Sequence, residues 1–144
     1  MSNTVKAILD AKGRDVVTAG PNTTVSEAAA ILSKKKIGAI VIVGMENKIA
    51  GIFTERDVVH AIAKSGPACL DSSVASVMTA KVYRCNEATT VNELMELMTS
   101  RRFRHVPVET AGKLAGIISI GDVVKTRITE VEREAEDIKA YIAG

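Results

Sequence analysis

Hydrophobic residues along the chain recur with two different spacings, which predict alternating helices and strands. Where apolar residues return every three or four positions, as in Val5, Ile8 and Leu9, one face of a helix is apolar. Where apolar residues rich in β-branched types run almost without interruption, as over 37–43, the pattern is typical of a strand covered on both faces. These patterns predict a mixed α/β fold with helices over 4–12, 27–36, 54–63, 91–101 and 122–141, and strands over 15–18, 37–43, 48–53, 81–84, 103–108 and 114–118.

The chain contains the same unit twice. Residues 16–45 align with 82–111 at an offset of 66, and residues 47–59 align with 112–124 at an offset of 65. The single gap falls at Glu46, in a polar turn between two apolar runs, where an insertion disturbs the fold least. Such self-similarity indicates a tandem duplication with pseudo-two-fold symmetry. Each half is predicted to fold as β-α-β-β-α with a right-handed crossover.

A seven-residue motif closes each copy where its last strand meets its last helix. It reads glycine, two apolar residues, a hydroxyl, two variable residues and aspartate, over 51–57 and again over 116–122. One interpretation is a capping box, in which the hydroxyl and the carboxylate accept hydrogen bonds from backbone N–H groups. The other is a nucleotide site, in which the helix start faces phosphate and the aspartate binds ribose hydroxyls. The motif by itself leaves both open.

Composition and charge exclude several classes of protein. At 144 residues the chain has the length of one domain, and its apolar share of 47% with only 3% aromatics predicts an aliphatic core. A net charge of +2 gives no reason to expect binding to nucleic acid or to an anionic membrane. Neither an apolar leader nor a membrane-spanning run is found, so we expect a soluble cytoplasmic protein with two free thiols. No metal site is expected, because two cysteines with plain neighbours do not make one.

The repeat divides the chain into five predicted segments. They are a short N-terminal helix and lead-in (1–15), the first repeat (16–66), a linker (67–79), the second repeat (80–127) and an extension of the long C-terminal helix (128–144). Apolar residues continue along that helix every three or four positions, at Val124, Ile128, Val131, Ala135, Ile138 and Ile142. This apolar stripe either packs back onto its own domain or pairs between two subunits.

A duplicated β-α-β-β-α unit whose last helix opens with Gly-apolar-apolar-Thr/Ser-x-x-Asp resembles the CBS-domain pair, a family named after the regulatory region of cystathionine β-synthase. Met78-Thr79 before the second unit and Val106-Pro107-Val108 on its central strand match the family as well. The resemblance implies a regulatory module, not an enzyme, that binds an adenosine ligand in the clefts between paired motifs. AMP is expected first, with NAD or ATP as alternatives. The resemblance also implies a homodimer and a target protein that the sequence does not identify.

The resemblance assigns roles to residues of both copies. Ribose binding falls on Asp57 and Asp122, and contacts to phosphate or ribose fall on Thr54 and Ser119. Adenine contacts fall on the starts of the central strands, which hold Ile37, Gly38 and Ala39 in the first copy and Phe103, Arg104, His105, Val106 and Pro107 in the second. The first strand of each copy also lines the cleft in the family, and it carries Thr18 and Arg84. Arg56, inside the motif, either reaches phosphate or points to solvent.

The two copies differ where the resemblance places their ligands. Arg104 and His105 stand where the first copy has Gly38 and Ala39, which predicts one basic cleft wall and one neutral wall. Because a charge on a buried strand is costly without a partner, we expect a ligand phosphate to pair with Arg104. The two arginines at 101–102 are interpreted as a solvated helix end.

Sequence motifs of two kinds of nucleotide enzyme are absent. The oxidoreductase fingerprint Gly-x-Gly-x-x-Gly does not occur, and in the phosphate-loop pattern Asp122 stands where the lysine must be. One alternative to ligand sensing stays open, a dimeric scaffold whose clefts are empty and whose C-terminal helix engages a partner. The two intact motif aspartates favour ligand sensing.

Overall fold

The computed structural model describes residues 3–143. Its helices are α1 Val5–Lys12, α2 Val25–Lys35, α3 Glu55–Ser65, α4 Val91–Arg101 and α5 Ile120–Ala143. Its strands are β1 Thr18–Ala19, β2 Ala39–Val43, β3 Ile49–Thr54, β4 His105–Thr110 and β5 Lys113–Ser119, with short 3-10 turns at Met45–Asn47, Pro67–Asp71 and Val74–Ser76. The predicted mixed α/β class, with a short first helix and a long last helix, is confirmed.

Matching caps bound the central helix of each repeat. Thr24 and Thr90 each accept a hydrogen bond from the backbone N–H three residues on, at 3.1 Å, so α2 and α4 begin at the following valine. Lys36 and Arg102, at the other ends, have left-handed backbone with φ of 54° and 58°. The helix between these caps therefore has the same length in both repeats.

Each repeat contributes one small sheet. In the first, β2 lies between β1 and β3, parallel to β1 and antiparallel to β3. In the second, β4 and β5 form an antiparallel hairpin, whose turn residues Ala111 and Gly112 have φ of 52° and 78°. Two consecutive positive φ values suit the right-handed twist of a two-residue hairpin. The second sheet therefore has one strand fewer than the first.

The predicted strand over 81–84 is wrong. At this place Cys85 alone joins the second sheet, through a single parallel bridge to β4. Tyr83 and Arg84 stay exposed, and the Arg84 guanidinium donates to a backbone carbonyl of the first repeat at 3.0 Å. With Arg84 held by this side-chain contact, the ladder at this place shrinks to one residue. The opening strand of the first repeat is likewise shorter than predicted, two residues instead of four.

Each repeat has its own apolar core, and each core includes the segment that precedes the other repeat. The first core contains Val25, Ala28, Leu32, Ile40, Ile42, Phe53 and Val74, of which Val74 belongs to the linker. Met78, at the end of the linker, packs against the same core. The second core combines α4, β4 and β5 with Val5, Ile8 and Leu9 of α1. The lead-in of each repeat thus packs on the opposite repeat, which the sequence pattern did not predict.

This exchange explains the glycine that opens each motif. A Cβ atom on Gly51 would lie 2.7 Å from Met78 Sδ and 2.7 Å from the backbone oxygen of Thr79. A Cβ atom on Gly116 would lie 2.8 Å from Leu9 Cδ2. Both distances are well inside the contact distance of non-bonded heavy atoms, about 3.5–4.0 Å. Glycine is therefore needed where the lead-in of the other repeat crosses the strand.

The apolar stripe on α5 faces away from the rest of the chain. The exposed fractions of Val124, Ile128 and Ile138 are 47, 52 and 60%. The buried residues of α5 are instead Val123 and Glu130, and the Glu130 carboxylate accepts from the backbone N–H of Asn3 at 2.8 Å. The stripe does not pack on its own domain, so that alternative is wrong. Within residues 3–143, no helix combines the length and apolar character needed to span a bilayer.

Candidate functional site

A cleft of about 800 Å³ lies between the two repeats. One wall is the end of β3 with the start of α3, and the other is the end of α4 with the start of β4. The lining residues are Gly38, Ile52, Thr54, Glu55, Arg56, Asp57, Thr79, Met98, Arg101, Arg102, Phe103, Arg104, His105 and Ile120. The volume suits a small organic ligand, for which sites measure roughly 300–1,000 Å³.

The first motif forms the predicted capping box and also lines the cleft. Thr54 N donates to Asp57 Oδ2 at 2.9 Å and Asp57 N donates to Thr54 Oγ1 at 3.3 Å, which completes a capping box at the start of α3. The other carboxylate oxygen, Oδ1, accepts from Thr79 Oγ1 at 3.1 Å. All three side chains belong to residues that line the cleft. The cap therefore holds the carboxylate at the cleft wall and does not remove it from a binding role.

Four arginines line the cleft, Arg56 on α3 and Arg101, Arg102 and Arg104 on the opposite wall. All four are exposed, and none forms an ion pair with another residue in the range 3–143. Arg104 precedes β4, so the expectation of a charge on a buried strand is wrong. With two carboxylates against four guanidinium groups, the cleft carries a positive charge that attracts anions.

Aromatic side chains support one of these arginines. The Arg101 guanidinium carbon lies 5.2 Å from the centroid of the Tyr83 ring. Tyr83 in turn stacks on Phe103, with ring centroids 5.4 Å apart. A cation over an aromatic face contributes about 0.5–1 kcal/mol at an exposed site. Arg101 is therefore part of the cleft wall as well as part of a helix end.

His105 lies in the cleft against Gly38. A Cβ atom on Gly38 would lie 3.3 Å from His105 Cε1, so glycine leaves room for the imidazole. Burial lowers the pKa of His105 below its ordinary value of 6.5; the Asp122 carboxylate opposes this shift, and the charges of Lys12 and Arg104 add to it. The ring is uncharged at neutral pH and offers one hydrogen-bond donor and one acceptor.

The neutral wall and the basic wall predicted from the two copies belong to one cleft and not to two separate clefts. Gly38, Arg104 and His105 line one and the same cleft. The pseudo-two-fold symmetry brings the starts of β2 and β4 together, so a cleft takes one strand start from each repeat. Sequence alignment of the two copies shows which residues correspond, but not which of them share a cavity.

Other predicted site residues lie outside this cleft. Buried or half-buried positions around the two central strands are taken by Ile37, Ala39, Val106 and Pro107. Thr18 is exposed in β1, where it pairs with β2. Arg84 donates to Glu109 Oε2 at 2.8 Å, so its guanidinium already has a partner within the fold. Ser119 and Asp122 belong to the second motif, on the other side of the pseudo-two-fold axis.

The second motif repeats the cap but has different surroundings. Ser119 N donates to Asp122 Oδ2 at 2.9 Å, and Asp122 N donates to Ser119 Oγ at 3.1 Å. Here Lys12 Nζ also donates to Asp122 Oδ2, at 2.6 Å. Burial alone would raise the pKa of Asp122, but hydrogen bonds from Lys12 and Ser119 and the charge of Lys12 outweigh it and hold the pKa below its ordinary value. This carboxylate is ion-paired, whereas beyond its cap Asp57 has a hydroxyl partner.

Sequence reasoning missed residues that reach the cleft from outside the motif. Thr79 comes from the linker, Met98 from α4 and Ile120 from the start of α5. Their positions in the apolar pattern are ordinary for their elements, so periodicity does not single them out. A signal existed for Thr79, because Met78-Thr79 is a recognisable feature before the second repeat.

Comparisons with known proteins agree with this architecture. A family model described as CBS domain matches residues 5–64 and again residues 74–128. The CBS domain-containing protein CBSX3, mitochondrial, of Arabidopsis thaliana is 32% identical over 151 residues, covering 99% of this chain and 73% of that protein. The crystal structure of the CBS-domain containing protein ATU1752 from Agrobacterium tumefaciens matches with a TM-score of 0.83 and 56% identity, over 88% of this chain and 95% of that one.

A further similar structure was solved with ligands. The CBS-domain pair of protein MJ0100, in complex with 5′-methylthioadenosine and S-adenosyl-L-methionine, matches with a TM-score of 0.79 and 27% identity, over 90% of this chain and 99% of that one. Pairs of CBS domains are regulatory modules. The duplicated motif, the two matched segments and the shared fold together show that this chain belongs to the CBS-domain family, as a tandem pair.

Proposed function

We propose that the protein binds an adenosine nucleotide in the cleft around Asp57 and acts as a regulatory module without catalysing a reaction. The observation that carries this proposal is the Asp57 carboxylate, held at the start of α3 across one cleft from Arg101, Arg102 and Arg104. A carboxylate suits the hydroxyl pair of a ribose, and guanidinium groups suit phosphate. The two polar parts of a nucleotide therefore both have partners in one cavity.

AMP is the first candidate ligand, and ATP and NAD are the next. With its ribose at Asp57, a nucleotide can direct phosphate toward the start of α3 or toward the opposite arginines, since both border the same cavity. The floor near Gly38, Ile52 and His105 carries no charge at neutral pH and suits an adenine ring. The adenosine ligands of the MJ0100 pair support the choice of ligand class.

The absence of catalysis is part of the proposal. Asp57, the carboxylate nearest to a bound ribose, accepts hydrogen bonds from Thr54 and Thr79, so both of its oxygens already have partners within the fold. Cys85 is no nucleophile, because burial raises the pKa of its thiol to about 12. Both cysteines are buried free thiols, which suits the reducing cytoplasm that we propose as the location. Turnover of AMP, ATP or NAD in an assay with purified protein would contradict the proposed absence of catalysis.

We also propose a homodimer that joins through the apolar stripe of α5. The stripe leaves large apolar side chains in water, and α3 adds Val59 and Ile62 with exposed fractions of 67 and 43%. A second copy of the same helix is complementary to such a stripe, because residues spaced by threes and fours interlock between paired helices. Ligand-dependent changes could then pass along the paired helices to a target protein.

Light scattering tests the dimer at tens of micromolar protein. Ile128→Glu places a charge in the stripe and should shift the full chain toward monomer, whereas Lys139→Glu, another change on the same helix, should not. A monomeric wild-type chain would contradict the dimer. Truncation after Arg127 should loosen assembly and leave nucleotide binding unchanged.

A second candidate function is a scaffold that assembles and binds a partner without ligand. The exposed stripe favours it, because the stripe does not depend on the cleft. Under this alternative, nucleotides should change neither the stability nor the assembly of the protein.

Calorimetric titration of nucleotide-stripped protein with AMP, ADP, ATP and NAD decides between the two functions. Sensing predicts saturable heat with at least one of these ligands. It also predicts a higher melting temperature, because a ligand at 100 times its Kd adds about 2.7 kcal/mol to the free energy of unfolding. No heat and no change in melting temperature with any of the four would leave the scaffold as the better account.

A further inference from the structure

The two motif carboxylates have different partners from the lead-in segments. Asp57 accepts from a neutral hydroxyl, Thr79 Oγ1, at 3.1 Å. Asp122 accepts from an ammonium group, Lys12 Nζ, at 2.6 Å. Each partner belongs to the segment that precedes the opposite repeat, since Lys12 ends α1 and Thr79 ends the linker. A charged side chain therefore reaches the second motif, whereas a hydroxyl reaches the first.

The position of Lys12 is fixed by the docking of α1. Lys12 is the last residue of that helix, whose Val5 and Leu9 are fully buried in the second core. The helix start is tied down as well, because Val5 N donates to the backbone oxygen of Thr89 at 2.8 Å. While α1 stays docked, the backbone of Lys12 cannot move away from Asp122. The ammonium can then leave the carboxylate only by a change of the Lys12 side-chain rotamer.

Both partners of the ion pair are partly shielded from water. The side chains of Lys12 and Asp122 are 32% and 23% exposed. The same Oδ2 atom of Asp122 also accepts the capping bond from Ser119 N. A ribose that approached this carboxylate would have to displace the ammonium and leave it without its counter-ion. The 800 Å³ cleft, in contrast, is lined by Asp57 and by neither residue of this pair.

We propose that Lys12 is a specificity-determining residue that closes the second motif to nucleotides, so that each chain takes one nucleotide, at Asp57. This inference rests on the proposed function, since it assumes that the ligand is an adenosine nucleotide. Lys12 acts as an internal cation that occupies the carboxylate a ribose would use. Removing its charge opens a second site of the same ligand class.

Titration calorimetry of the full chain, stripped of nucleotide, measures the number of AMP molecules bound per chain. Wild type should bind one. Lys12→Met, which removes the charge and keeps an unbranched side chain, should bind two. Lys12→Gln, which keeps a polar side chain one atom shorter and removes the charge, should also bind two and serves if the methionine variant folds poorly. Lys6→Met is the control, because Lys6 pairs with Asp10 on the same helix at 2.9 Å and should leave the count at one.

Adding Asp122→Asn to Lys12→Met should return the count from two to one, which assigns the new site to the second motif. One AMP in wild type and one in both Lys12 variants would overturn the inference and leave the proposed function standing. So would two AMP in wild type, or weaker binding in the Lys12 variants, which would make Lys12 a ligand of phosphate. No AMP in wild type but one in the variants would refute the proposed site at Asp57 and support the role of Lys12. No AMP in any of them would overturn both.

Discussion

The two copies of the motif have the same backbone and different chemistry. Both end a strand, both begin a helix, and both aspartates complete a capping box with hydrogen bonds of 2.9 Å to the N–H of the cap residue. Yet Asp57 borders an open cleft rich in arginine, while Asp122 is paired with Lys12. The duplicated backbone sets the position of each carboxylate. The segment that comes from the opposite repeat supplies the further hydrogen-bond donor of that carboxylate.

The largest expected effect separates the two carboxylates directly. Asp57→Asn keeps the shape and the cap acceptor but removes the charge, and it should weaken AMP binding by about 10–100-fold, since hydrogen bonds to a charged group contribute about 1.5–3 kcal/mol. Asp122→Asn is the matched control and should change the affinity less than about twofold. Calorimetry gives both values. A larger loss of AMP affinity in Asp122→Asn than in Asp57→Asn would show that the second motif, and not the first, binds AMP.

A second prediction concerns the arginine wall. Arg104→Ala should weaken AMP about tenfold, near the lower end for a charged hydrogen bond because Arg104 is exposed. It should weaken adenosine much less, because adenosine has no phosphate. Arg133→Ala, which removes an exposed arginine of α5, should affect neither ligand. Equal losses for AMP and adenosine would make Arg104 a structural residue.

The third prediction compares the two motif glycines by urea unfolding. Gly51→Ala should lower the free energy of unfolding by about 1–3 kcal/mol, the usual cost of overpacking. Gly116→Ala should cost less, because its Cβ would meet the methyl end of Leu9, which can rotate, whereas Gly51 faces the backbone oxygen of Thr79. A greater loss for Gly116→Ala would show that α1 is the more rigid of the two crossing segments.

The smallest effect is a dependence of stability on pH. Because the pKa of His105 lies below its unfolded value of 6.5, the unfolded chain takes up the proton first as the pH falls. The free energy of unfolding should therefore decrease as the pH drops from about 7 toward 5, above the range in which most carboxylates titrate. His105→Gln should reduce that slope in urea titrations, and His60→Gln is the control. An unchanged slope in His105→Gln would assign the effect to other groups.

Much of the fold was predictable from the sequence. The duplication, the helices and the hairpins follow from periodicity and from residues that recur at a fixed offset. The strand over 81–84, predicted as the opening strand of the second copy, failed because exposed Tyr83 and Arg84 make side-chain contacts instead of a ladder. Local pattern does not reveal such competition between side-chain and backbone partners.

The site was predictable only in part. Both motif aspartates were identified, since the motif is local. The ion pair between Lys12 and Asp122 joins residues 110 positions apart, and no spacing rule relates them. The cleft likewise draws Thr79 and Arg101 from outside the motif. Partners that come from the opposite repeat depend on how the halves dock, and that is a property of the packed cores.

A crystal structure of the full chain grown with AMP would show which of the two motif aspartates holds the ribose. We expect one AMP per chain, with its ribose hydroxyls on Asp57, its phosphate among the cleft arginines, and the ion pair between Lys12 and Asp122 intact. AMP seated on Asp122, with the cleft around Asp57 empty, would contradict this expectation.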